Sequence, residues 1–134
     1  MMPAAHVTEA DATETILLTF PSRAPYRGIP TLVLSGVGSR LELPFERMDD
    51  LQLAVLSMLD ASAGADASVE IQAQSDRVAV SVGPLRADAG DDRGLALVLE
   101  RLTDGVEPAR RDDGAWLTVF LERSPGGSPD ASGV

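Results

Sequence analysis

The chain has 134 residues, 44% of them hydrophobic, which is enough for one compact domain with a real core. It has no cysteine, which excludes a disulfide framework and thiolate chemistry, and its one histidine, His6, lies in a small and polar N-terminal stretch, so neither a Ser-His-Asp triad nor a histidine-rich metal site is expected. Twenty-one acids stand against eleven bases, every one an arginine; the net charge of −10 repels nucleic acid and anionic lipid and favours a partner with a basic face.

No apolar run approaches the roughly 20 residues that cross a bilayer. The opening "MMPAAHVTEADATE" has neither the basic start nor the hydrophobic middle of a secretory signal, so a cytoplasmic protein is expected. Residues 1–13 read as a small, polar leader, residues 14–123 as a single domain, and "SPGGSPDASGV" (124–134) as a tail disordered by composition.

In chain order, "ETILLTFPSR" alternates as a strand, with Ile16, Leu18 and Phe20 on one side and Leu17 and Thr19 on the other; Pro21 ends it. In "APYRGIPTLVLSGVGSRLEL", Ile29, Leu32, Val33, Gly36 and Val37 recur at helical spacing, with Pro30 placed in the first turn. Gly36 and Gly38 each cost helix propensity, about 1 kcal/mol relative to alanine, which close packing against a neighbour would explain. A second helix starts near Pro44, carries Glu46, Asp49 and Asp50 early, and presents Met48, Leu51, Val55, Leu56 and Leu59 on a broad apolar face. "ASVEIQAQ" and "RVAVSV" alternate around the turn "SD" as a hairpin, with Val69, Ile71, Ala73, Val78, Val80 and Val82 inward.

"GPLRADAGDDRG" is loop chemistry, and "LALVLERLTDGV" is a short third helix with Leu95, Val98, Leu99 and Leu102 on one side. The last hairpin joins "VEPARR" to "AWLTVFLER" through "DDG", with Trp116, Thr118 and Phe120 on one face and Leu117, Val119 and Leu121 on the other. This order predicts an α+β two-layer sandwich, a mixed and mainly antiparallel sheet with its helices on one face.

This order, together with "FPSRAPYRGIPTLVLSGVGSRLELPFERMDDLQLAV", resembles the anti-sigma-factor serine kinases, which belong to the histidine-kinase-like (GHKL, Bergerat-fold) ATPases. The likeness covers roughly Glu14 to Glu122, and its most specific part is "LSGVGSR" followed by "DDLQLAV". The resemblance implies that fold with its lid nearly deleted. In the family a glutamate on the second helix acts as general base or orients the reacting group, and an asparagine four residues on holds Mg²⁺. Residues i and i+4 share a helix face, so both point at one triphosphate. In this chain they fall on Ser57 and Ala61, a hydroxyl with no activating partner and a methyl that cannot ligate a hard cation. Asp60 offers an oxygen one position earlier, turned about 100° around the helix, and reads either as a displaced ligand or as a solvated or capping carboxylate.

The family's adenine-reading aspartate matches Pro84 if the strands align without a gap; Asp88-Ala89-Gly90 offers a carboxylate several residues beyond. Its lid ends in a Gly-x-Gly that cradles phosphate at a helix N-terminus, of which Gly94-Leu95-Ala96 keeps half. Asp91 and Asp92 stand where triphosphate charge would arrive, and Arg93 offsets only part of it. With three devices altered together, the expectation is a degenerate member without catalysis and without a cofactor. It would bind a sigma factor or a STAS-type anti-sigma antagonist by surface contact, as a homodimer if it keeps the family habit. Arg23, Tyr26 and Arg27 are the candidate contact residues; a family arginine of the first helix falls on Thr31. The alternatives are an active serine/threonine kinase using ATP and Mg²⁺, with Asp60 and Asp88 in new roles, and a dimerisation or scaffold domain.

Overall fold

The computed structural model describes residues 14–123; the leader, the tail and His6 lie outside the described residues. Strand β1 (Glu14–Pro21) is followed by helices α1 (Gly28–Arg40) and α2 (Phe45–Leu59), then by β2 (Asp66–Ala73) and β3 (Arg77–Leu85). Helix α3 (Arg93–Leu102) precedes β4 (Gly105–Arg111) and β5 (Gly114–Glu122), and short 3₁₀ turns occupy Ala24–Tyr26 and Ala89–Asp91. The architecture is the expected α+β sandwich. Its five strands run in the order β1-β2-β3-β5-β4, and every neighbouring pair is antiparallel, so the sheet is simpler than the mixed one expected. The first long connection returns the chain beside β1, whereas the second carries it past the place of β5 to the sheet edge, where β4 runs parallel to β3.

One face of the sheet meets the helices. Val69, Ile71, Val78, Val80, Val82, Leu117, Val119 and Leu121 point inward as their alternation predicts, against Leu34, Leu51, Val55, Met58 and Leu99 from the three helices. Helix α1 is rotated from the face predicted for it. Pro30, Leu34, Val37 and Gly38 are buried, whereas Leu32 and Gly36 face solvent. The helix is apolar on nearly every side, so spacing alone does not choose which stripe is buried. Gly38 is the glycine that packing requires, because an added Cβ would overlap Met48 of α2; Gly36 has open space around it.

Helix α1 ends in a Schellman motif: Leu43 N–H donates to Gly38 C=O at 3.0 Å and Glu42 N–H to Ser39 C=O at 3.2 Å. This places Glu42 at φ 58°, in the left-handed region. The outer end of α1 is tied to β1 by Arg40 and Glu14, 2.7 Å apart. That hydrogen bond, helped by the opposite charge, raises the Arg40 pKa above its already high ordinary value.

The other face of the sheet is partly covered by its own side chains, with no second layer among the described residues. Gly83 leaves a gap on β3 that the Trp116 ring fills, and an added Cβ there would overlap the indole. The Arg111 guanidinium stacks on that ring at 3.9 Å and pairs with Glu70 at 2.6 Å, while Trp116 Nε1 donates to Asp113 at 2.7 Å. Arg77 covers Phe120 at 4.4 Å in the same manner. Small side chains on the central strand, Ala79 and Ser81, are buried beneath these caps. Two stacked guanidiniums thus cover a buried Trp116 and a half-buried Phe120 on a face that no described helix covers.

Candidate functional site

The end of α2 is stitched to the end of β3. Ala63 N–H donates to Pro84 C=O at 3.0 Å, and Arg86 N–H donates to Ala61 C=O at 2.9 Å. Residues 86–92 then lead to α3, whose first turn lies against the last turn of α2. Between these two turns is a depression of about 240 Å³ lined by Ser57, Asp60, Ala61, Arg86, Asp92, Gly94, Leu95 and Val98. The topology therefore gathers Ser57, Asp60, Ala61 and Gly94 at one place, from segments more than 30 residues apart. The other expected site residues are elsewhere. Asp88 stands outside the rim, its side chain 79% exposed and 3.5 Å from Arg86. Gly90 and Ala96 line a separate apolar cavity of about 170 Å³ between α3, β4 and β5. Pro84 is a strand residue whose carbonyl is spent on Ala63.

The charged groups around the depression already have partners. Asp60 caps α2 and pairs with Arg27, which reaches it from the loop ahead of α1. Asp92 is the N-cap of α3 and accepts the Leu95 N–H at 3.0 Å, with Arg86 3.6 Å from its other oxygen. Ala61 is buried, its methyl turned into the core with Met58 and Leu59, and Leu56 is packed half-buried against the same cluster. Ser57 is half-buried and makes no side-chain hydrogen bond among the described residues.

A magnesium–nucleotide group does not fit this donor set. A hard cation needs oxygen ligands; Ser57 on the last turn of α2 supplies a hydroxyl, and Ala61, which lies past the end of the helix rather than on its face as expected, supplies a methyl. Phosphate at a helix N-terminus needs free N–H groups and positive potential. At α3 that position holds the protein's own Asp92 carboxylate. Among the described residues, no group of three acidic or histidine side chains is arranged to hold a metal ion.

The contact residues proposed from sequence have mixed fates. Arg23 is exposed and lies 5.5 Å over the Tyr26 ring, and Tyr26 itself packs half-buried on the core. Arg27 is not a free surface cation, because it is held by Asp60. Thr31 Oγ1 donates to Arg27 C=O at 3.2 Å, and Gln52 of α2 donates to Thr31 C=O at 3.3 Å, so this residue serves the α1–α2 contact. Arg86 was not singled out by sequence; its partners depend on the α2–β3 stitch, which no local pattern announces. Asp92 did carry a signal, since aspartate just ahead of an apolar helical run is a preferred N-cap.

A scan against protein-family models and a search of curated proteins return no match for this chain.

Proposed function

We propose that this chain is a non-catalytic regulatory domain of the anti-sigma type, which binds a sigma factor or a STAS-type antagonist in the cytoplasm by surface contact and transfers no phosphoryl group. The reading rests on the resemblance of "LSGVGSR" and "DDLQLAV" and on the chemistry of the depression beside it. One observation carries the loss of catalysis: at position 61, where the related kinases need a metal-binding amide, there is a buried methyl. Asp60 is no substitute, because its carboxylate is turned toward Arg27 and its side chain is 69% exposed. The acidic surface suits a basic partner face, as the net charge of −10 suggests. Among the described residues no helix is long and apolar enough to cross a membrane.

The test mixes the purified chain with candidate sigma factors and STAS-domain antagonists in the presence of γ-labelled ATP and Mg²⁺. The expected outcome is a stable complex with no label transferred to either protein. Transfer of label to a serine of the partner would overturn the reading, and so would the absence of any complex.

A further inference from the structure

The outer surface of the helical layer carries a row of apolar side chains that no described residue covers. Leu32 on α1 is 75% exposed, Leu53 on α2 51%, and Val98 and Leu97 on α3 43% and 62%. Hydrogen bonds fix their relative level: Gln52 donates to Ser35 Oγ at 2.9 Å and to Thr31 C=O, which sets Leu32 beside the stretch of α2 that carries Leu53. On the other side of α2, Ser57 and Val98 line the same depression, which sets Val98 beside that stretch as well. The row therefore crosses the three helices at one height. On α2 it is flanked toward the N-terminus by Glu46, Asp49 and Asp50, and none of these carboxylates has a cation within 4.0 Å among the described residues.

We propose that this face docks a basic amphipathic α-helix of a partner protein, laid across α1, α2 and α3; the inference rests on the reading of the chain as a protein-binding domain and adds where the partner sits and what it presents. The dimensions agree. Packed helices lie about 8–10 Å apart, so three span roughly 16–20 Å between outer axes. A helix rises about 1.5 Å per residue, so about 11–14 residues cover that span, with apolar anchors recurring every three or four positions. Lysines or arginines along one flank of that helix would meet the three unpaired carboxylates. A second acidic copy of this chain would bring like charges together along the same flank, so self-association is disfavoured there.

The probe is a fluorescein-labelled leucine–lysine amphipathic peptide of about 14 residues, titrated with the full chain and read by anisotropy; a leucine–glutamate peptide of the same apolar pattern is the control. The lysine peptide is expected to saturate, the glutamate peptide not. Leu53→Glu and Leu32→Glu are each expected to weaken binding at least about tenfold, as loss of an apolar anchor does. Leu17→Glu, on the opposite face of the sheet, is expected to leave it unchanged. These three positions are exposed, so circular dichroism should show an unaltered fold. No binding of the lysine peptide, an equal effect of Leu17→Glu, or a dimer of the chain that Leu53→Glu dissociates would each overturn the proposal. If a sigma factor or antagonist bound equally well to the Leu53→Glu and Leu32→Glu variants, the binding-domain reading would stand and this surface would be wrong.

Discussion

Asp92 accepts the Leu95 N–H at 3.0 Å and faces Arg86 at 3.6 Å, so one carboxylate both starts α3 and fills its anion position. Asp92→Ala is expected to cost about 1 kcal/mol in urea unfolding, the usual loss for an N-cap. Introducing an amide at position 61 is expected to harm the fold. Ala61→Asn places an amide in the apolar core beside Met58 and Leu59, and an unpaired buried polar group costs about 1–3 kcal/mol. The same unfolding curves measure both variants. Arg27→Ala should matter less, under about 1 kcal/mol, because both partners of its ion pair keep substantial contact with water. The identities at positions 57 and 61 were legible in the sequence, but the shared helix face was not, because α2 ends at Leu59 and Ala61 lies beyond it. The Arg27–Asp60 pair was not, because it joins residues 33 positions apart that each read as ordinary surface charges.

Among the elements, the strands were the most legible. Alternation in "ASVEIQAQ", "RVAVSV" and "AWLTVFLER" fixed which residues enter the core, because a period of two leaves only two choices. Helix α1 was the least legible, since apolar residues surround it and burial is decided by the position of α2. The turn that follows offers a direct check: Glu42→Gly at φ 58° should stabilise the protein by about 0.5–1 kcal/mol, seen as a higher urea midpoint with an unchanged slope. The uncovered sheet face offers another. Gly83→Ala is expected to displace the Trp116 ring and destabilise by about 1–3 kcal/mol, the range for overpacking. Trp116 is the only tryptophan, so its emission should shift to the red in the folded state if the ring is lifted into water. A period-two pattern marks Trp116 as outward but cannot show that Gly83 leaves room to bury it.

For the whole molecule, the order of strands and helices was enough for the two-layer class but not for strand order or direction. Those depend on where the two long connections land, β1 to β2 through α1 and α2, and β3 to β4 through α3. The gathering of Ser57, Asp60, Ala61 and Gly94 around one depression follows from these connections. It puts residues of the expected kind of site side by side, with the Asp60 carboxylate held by Arg27. The acidity of the chain acts at the same scale: at a net charge of −10, association with a basic partner should be fastest at low salt and slow steeply between about 50 and 500 mM NaCl. Stopped-flow mixing with the partner measures this, and a rate independent of salt would show that charge plays no part. We propose that the depression beside Ala61 binds no metal–nucleotide. Calorimetric titration of the chain with ATP in excess Mg²⁺ tests it most directly. No saturable heat is expected up to millimolar nucleotide, whereas a one-to-one isotherm at micromolar ATP, abolished by chelating the magnesium, would contradict this.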